Sequence, residues 1–399
     1  QQPRRLICFE RVYLEMSSSD SEGESEKGAI LKQRLQMFKS RRLTKLTEQK
    51  LVCQIIMEQD YLEYIGLAEE LLARGWKIIT TGLQTSHTDQ DLDNNANNEI
   101  LFPNVQWCSY SKAAWEAVMT GQLITNHYYM RSGIIRKSDL AVLLQTKYHD
   151  TMPKSHVGHL SSQIHKKEFI QLIHELVCDD KIWILKPGDS SNANDMHIFN
   201  QSTVGKVVEI LISTSRESWK VQKYIERPLL SSGVKFHLRA WVLAVGNLKV
   251  FLHEQVIALM ASKSYNLDDL EDLCVHASNH SVQERAGVQC PTSYLLQDLT
   301  EHVDSIPDIQ EFNEDGKAEK VKVGGPWSTK IWQQLSKIVR RVFDCASELK
   351  HFSRVFKPLP CSFELFGMDA MVDEDGKVWL LEFNCDPDLK VFDAQWQHV

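Results

Sequence analysis

The stretch from Phe366 to Asn384, FGMDAMVDEDGKVWLLEFN, constrains the fold more than any other part of the chain. Two apolar runs flank Asp373-Glu374-Asp375-Gly376, and an acidic tetrapeptide closed by Gly between such runs is strong hairpin chemistry. With Glu374 and Asp375 at the tip, Val372 is expected to face Lys377, Asp369 to pair with Leu380, and Glu382 to be the diagonal neighbour of Asp369. Side chains alternate faces along a strand, so Asp369, Glu382 and Asn384 then share one face amid apolar neighbours. Three oxygen donors on a rigid sheet suit Mg²⁺, which takes one or two carboxylates and leaves positions for phosphate oxygens. A one-residue change in the turn would send the acids to opposite faces. The plainer alternative is a solvated edge hairpin with ordinary surface acids.

The 399 residues suffice for two or three domains. A net charge of −8 gives no support for general nucleic-acid binding. No run of 18 apolar residues occurs, so no membrane span is expected, and the N-terminus lacks the apolar core of a signal peptide. Nine cysteines without a C-x-x-C pair argue against a zinc site or a disulfide framework and for a reducing setting, with the cytoplasm expected. Gln1 is not an initiator residue, which leaves room for the chain to be a fragment. Residues 17–26, SSSDSEGESE, cannot bury a core and are expected to be disordered. Residues 27–50 turn basic, with Arg41 and Arg42 at their centre, and read either as a solvated helix face or as a contact for an acidic partner.

Residues 54–74 carry helical periodicity closing at Gly75, and 76–81 read as a strand followed by a polar loop over 82–100. Residues 126–182 read as mostly helical, with strands at 183–185 and 221–225. A second hairpin turns at Gly246-Asn247 within 236–262, and 328–350 form an amphipathic helix. Residues 266–290 and 300–325 read as polar loops, with a short helix at 295–299. Helices set against largely antiparallel sheets argue for an α+β fold.

Three further constellations carry chemistry. Lys186 ends an apolar strand and precedes Pro187-Gly188-Asp189-Ser190-Ser191-Asn192, a small polar loop able to hold phosphate beside a point charge. Gln222-Lys223-Tyr224-Ile225 leads into Pro228 and can serve as a hinge strand that walls an adenine, or be an ordinary buried strand. Lys235, His237 and Arg239 alternate with Phe236, Leu238 and Ala240, which puts three cationic residue types on one face. That row is either a solvated outer face or, beside the carboxylates, a site for anionic transition states. No G-x-x-x-x-G-K-[ST], G-x-G-x-x-G or HRD with DFG is present, which disfavours P-loop, Rossmann and protein-kinase chemistry.

In order, IWILKP (182–187), VQKYIERPLL (221–230), KFHLRAWVLAVGNLKV (235–250), HASNHSVQ (276–283) and the 366–384 hairpin resemble the tubulin–tyrosine ligase family, closest in wording to its fungal-type members. Ile134-Ile135-Arg136-Lys137 fits the start of that family's central domain. The resemblance implies an α+β, ATP-grasp-like fold with a central domain over 126–225 and a C-terminal domain over 226–399, after the disordered acidic and basic tail over 1–48 and the small α/β domain over 49–125 that composition and periodicity predict. It implies an ATP- and Mg²⁺-dependent ligase that joins a free amino acid to a protein carboxylate, on tubulin or another acidic tail, through an acyl phosphate. A monomer is expected. By resemblance, Lys137 and Lys186 contact ATP phosphates, Gln222, Lys223, Tyr224 and Ile225 form the adenine hinge, and Asn279 lies near the nucleotide. Lys235 and Arg239 line the phosphate and acyl site, Asp369, Glu382 and Asn384 hold Mg²⁺, and Arg239 and Glu382 are the catalytic pair. The chain departs from the family where Asn192-Ala193-Asn194-Asp195-Met196 replaces a basic, Gly-containing loop, where Leu259 replaces an Arg, where His237 replaces the animal ligase's Asp, and where Asp386 and Asp388 add acid. Those departures imply an alternative, a pseudo-ligase that binds tubulin or another protein without turnover.

Overall fold

The computed structural model describes residues 51–56, 62–81, 103–179, 181–188, 195–289, 291–299, 327–348 and 356–387, together with 7–8, 303, 311–312 and 318–319. The segments 17–26, 27–50 and 82–100, most of 300–325, and Asp388 lie outside the described residues.

A small parallel sheet comes first. It contains β1 (Val52–Ile56), β2 (Lys77–Thr81), β3 (Val105–Trp107) and β4 (Ile124–Thr125), in the order β2-β1-β3-β4. The single helix expected over 54–74 is instead β1 followed by α1 (Leu62–Ala73). Val-Cys-Gln-Ile-Ile is β-favouring, and Cys53 and Ile55 bury their side chains in period two, an alternation that the helical reading overrode. Gly75 does close the helix: it takes φ +82°, and Trp76 N–H reaches back to Leu71 C=O in a Schellman turn.

The middle sheet is antiparallel. After α2 (Lys137–Gln145) come β5 (Ser155–His159), α3 (Gln163–Leu176), β6 (Trp183–Pro187), β7 (His197–Phe199), α4 (Val204–Ser213) and β8 (Ser218–Lys223), with strand order β5-β8-β6-β7. Strand β5 corrects the mostly helical expectation for 126–182. Ser-His-Val-Gly-His has little strand propensity of its own, and pairing with β8 makes it a strand. A Cβ on Gly158 would fall 2.5 Å from the Phe169 ring, so glycine lets α3 pack down on β5. One face of this sheet buries Trp183, Leu185, Trp219 and Val221 against Phe169, Ile173, Val207 and Leu211 of the helices.

The large sheet runs β10-β9-β11-β12, built from β9 (Val234–Val245), β10 (Lys249–Ser264), β11 (Phe363–Val372) and β12 (Val378–Cys385), all antiparallel. Two-residue strands at Ile7–Cys8 and Tyr294–Leu295 pair with β10. Helix α5 (Trp327–Glu348) lays Ile331, Leu335, Val339 and Val342 against Leu238, Val242, Phe366 and Leu380, forming the main core. The region 266–290, expected to be loop, contains helical turns at Leu273–His276 and His280–Arg285.

The β11–β12 hairpin differs from expectation in register and still meets it in outcome. The tip has three residues: Asp373 pairs with Lys377, and Gly376 takes φ +77°. Asp373 Oδ1 accepts from the backbone N–H groups of Asp375 and Lys377, which favours the longer loop. Val372 therefore faces Val378, a slip of one residue that alone would put Asp369 and Glu382 on opposite faces. A bulge at Leu381 cancels the slip: Ala370 pairs with Leu380, but Asp369 pairs with Glu382.

Candidate active site

The middle and large sheets meet around a cleft. Lys137, Lys186, Gln222, Lys223, Tyr224, Ile225, Lys235, Asn279, Asp369 and Glu382 all line it. Arg239 and Asn384 stand behind Asp369. The Arg239 guanidinium grips both carboxylate oxygens, Nη2 lying 2.9 Å from Oδ2, and Asn384 Nδ2 donates to Oδ2 at 3.0 Å. Arg239 pairs with Asp369 across β9 and β11, and Asn384 faces Gly367 two residues away, so strand register alone builds this triad.

At one end, β8 runs out into Tyr224 and Ile225. Ile184, Met196, Met371 and Leu381 supply apolar walls there, as a planar base requires. Lys235 Nζ donates to Tyr224 Oη at 2.6 Å and lies 4.1 Å from the ring centroid. His276 Nε2 lies 2.8 Å from the Asp269 carbonyl, which can only accept, so Nε2 carries the proton. Nδ1 then accepts from Tyr224 Oη at 2.8 Å, which leaves a Tyr oxygen lone pair for Lys235. Burial holds the Lys235 amine well below its ordinary value, with Lys186 adding to the effect.

At the other end, Lys137 Nζ lies 3.1 Å from Glu382 Oε2, and Lys186 Nζ donates to Gln222 Oε1 at 3.4 Å. Burial pushes the Glu382 carboxyl up, but Lys137 and Lys186 outweigh it and hold the group at about 2. Burial lowers Lys186 to about 8, Lys137 adding and Glu382 opposing. The ordinary value is 10.5, so between those pH values the unfolded chain binds more protons than the fold. The ligand-free protein is therefore expected to gain stability as pH rises from about 8 towards 10.5, and affinity for a polyanion to fall through the same window. Denaturation midpoints and calorimetric titrations across that range check both signs; a flat profile in both contradicts the assignment.

The floor between the ends depends on Gly188. Its N–H donates to Ser218 C=O at 2.8 Å, its C=O accepts from Lys137 N–H at 3.1 Å, and a Cβ there would fall 2.1 Å from Ser138 Oγ and 2.2 Å from Ser218 Oγ. Gly188→Ala must push α2 off β8. It is expected to destabilise by about 1–3 kcal/mol and to weaken nucleotide binding, measurable by chemical denaturation and titration.

Of the departures, Asp195 lies at φ +56°, the left-handed region that favours glycine, and turns its carboxylate to Arg216 Nη2 at 2.8 Å, away from the cleft lining. Residues 189–194 lie outside the described residues. Leu259 packs with Trp241, Ile257, Leu295 and Leu365. His237 Nδ1 meets Ser278 Oγ at 2.6 Å, while its buried Nε2 has no hydrogen-bond partner and sits 3.8 Å from Asp369 Oδ1. Burial lowers His237 to about 4, so its ring is neutral. Sequence reasoning assigned no role to His276, Ser278 or Lys220. The signal for Lys220 was its place two residues before Gln222, on the same face of a strand.

Two lobes whose antiparallel sheets clasp a cleft, one carrying a hinge and lysines and the other paired carboxylates, define an ATP-grasp protein. The C-terminal domain of Kluyveromyces lactis Pby1, described as an ATP-grasp enzyme interacting with the mRNA decapping enzyme Dcp2, superposes with a TM-score of 0.55 at 22% identity, over 85% of this chain and 87% of that one. The chain belongs to the tubulin–tyrosine ligase family, whose sequence profile matches residues 119–398. Similar proteins include the probable tubulin–tyrosine ligase PBY1 of Saccharomyces cerevisiae, 25% identical over 67% of this chain and 40% of the relative. The human tubulin monoglycylase TTLL3 is 26% identical over 62% and 32%. The probable tubulin–tyrosine ligase C12B10.04 of Schizosaccharomyces pombe is 27% identical over 74% and 81%. The chain thus spans less than half the length of the first two. Among the described residues no helix is long and apolar enough to cross a membrane.

Proposed function

We propose that the chain is an ATP- and Mg²⁺-dependent ligase that adds an amino acid to a protein carboxylate, on tubulin or another acidic tail. The observation that carries this reading is Asp369 opposite Glu382, braced by Arg239 and Lys137, at the lysine-rich end of a cleft whose other end is a hinge. The residues fit Mg²⁺: Asp369 and Glu382 pair across β11 and β12 with Asn384 beside Asp369, and the ion would offset charge on phosphoryl oxygens. The central and C-terminal domains, 126–225 and 226–399, are the two lobes that hold the nucleotide.

In this reading Lys137 and Lys186 bind the phosphates, and Tyr224, Ile225 and the apolar walls orient the base. The acceptor carboxylate takes the γ-phosphoryl group as its bond to ADP breaks. The incoming amine then attacks the acyl carbon, loses a proton and expels phosphate. Lys137 and Lys186 offset the negative charge that collects during both steps, while Arg239 holds the Asp369 carboxylate in place from behind. The test is incorporation of each of the twenty amino acids, labelled, into tubulin by the purified chain with ATP and Mg²⁺. Transfer that requires both supports the reading, and no transfer of any of them sinks it. Leu259, closing part of the site face with apolar packing where relatives carry a cation, favours a second reading as a pseudo-ligase binding module. ATP binding without transfer supports that one.

A further inference from the structure

Lys220 has no task in the ligase reading. It pairs with Lys186 on β6 and Val157 on β5, so it lies on the face of β8 that carries Gln222. It is completely buried. Among the described residues its ammonium nitrogen has one hydrogen-bond partner, Met152 Sδ at 3.9 Å, and a thioether cannot balance an ammonium. Lysines are rarely buried without a charged partner. The charged groups facing it are Lys186 on β6, Lys137 on α2 and Glu382 on β12, and Glu382 already holds Lys137. Three amines thus converge on one carboxylate, an excess prepared for an anion.

Position specifies which anion. Strand β8 begins at Ser218, which holds Gly188 at the base of the 188–196 loop, and ends at the hinge. Lys220 sits between them, beneath the cleft lining, as the strand partner of Lys186, which does line the cleft. The loop, from Asp189 to Met196, contains no Lys or Arg.

We propose that Lys220 is a third phosphate-positioning lysine, supplying from beneath the cleft the positive charge that the 188–196 loop lacks. The inference rests on the nucleotide reading of the cleft. Burial holds the Lys220 amine well below its ordinary value, Lys186 and Lys137 adding and Glu382 opposing. Entry of a triphosphate stabilises the ammonium, so nucleotide binding favours the protonated form of the Lys220 nitrogen. The new charge acts on the phosphates both directly and by pressing Lys186 towards them.

Lys220→Met tests this in the full chain, by calorimetric titration with MgATP and with adenosine, near neutral pH, in two buffers of different ionisation enthalpy. In the wild type, ATP binding is expected to take up protons. In the variant, ATP affinity is expected to fall about tenfold or more and proton uptake to shrink, with adenosine affinity unchanged. The nucleotide-free variant is expected to melt higher, because Met fills the slot without burying an amine. Equal ATP affinity and equal proton uptake in the two proteins overturn the proposal. So does a variant that melts lower or fails to fold, which makes Lys220 a packing residue. A wild type that binds neither ATP nor adenosine removes the nucleotide reading itself.

Discussion

Glu382→Gln is expected to lower amino-acid transfer about 10²–10³-fold, the scale seen when one group that offsets transition-state charge is removed. The substitution keeps the shape of the side chain and removes its charge. Glu382 holds Lys137 at 3.1 Å and raises Lys186 against the effect of burial, and in the proposed function it would also provide a metal ligand opposite Asp369. Without it Lys186 loses an opposing charge, so its amine drops further and fewer molecules present a cation to phosphate at neutral pH. Labelled transfer at saturating ATP, with circular dichroism as a folding control, checks the outcome. Activity within threefold of the wild type removes Glu382 from the machinery.

Glu364→Ala is expected to have the largest effect on stability, about 3–5 kcal/mol, because it removes the buried carboxylate from the Arg131 guanidinium and leaves only the longer pair to the exposed Asp386, at 3.6 Å. Glu364 is 1% exposed; it contacts Arg131 directly, accepts from Tyr128 N–H at 3.0 Å, and lies 3.4 Å from His127 Nδ1. Burial, with Arg131 adding, lowers His127 to about 4, so the histidine stays neutral at neutral pH and adds no second cation beside Arg131. This cluster sits where the segment leaving the small sheet meets β11, beside the bridge between Thr125 and Ser362. Urea denaturation measures the loss. The pair Arg131→Met with Glu364→Leu is expected to recover part of it, since removing both charges leaves none orphaned.

The parts of the molecule legible from sequence were those in which local chemistry and long-range pairing agree. Asp-Glu-Asp-Gly makes a turn, apolar alternation makes the β9 and β12 strands, and Lys235, His237 and Arg239 reach one face because β9 is regular through them. Strand β5 was not legible, since Ser155–His159 owe their extended form to β8, 63 residues further on at the pairing of Val157 with Lys220. The register of Asp369 was not legible either. A two-residue tip and a three-residue tip with a bulge place the acids on one face equally well, and the choice rests on hydrogen bonds from Asp373 that residue types alone do not reveal. The Lys235–Tyr224–His276 relay was hidden because its members lie on separate segments that only the closed cleft brings together.

The extra residue at Leu381 divides the hairpin into two stretches of opposite phase. Beyond it, towards the tip, pairing is counted from the loop; before it, pairing is counted from β9, through the Arg239–Asp369 rung. The acids thus take their alignment from the interior of the sheet and are insulated from the loop. A single-residue insertion or deletion at Glu374–Gly376 would fall on the distal rungs, where Val378 and Leu380 are buried in the main core, and would cost packing there before it reached the acids. The same change at Leu381 would invert the site.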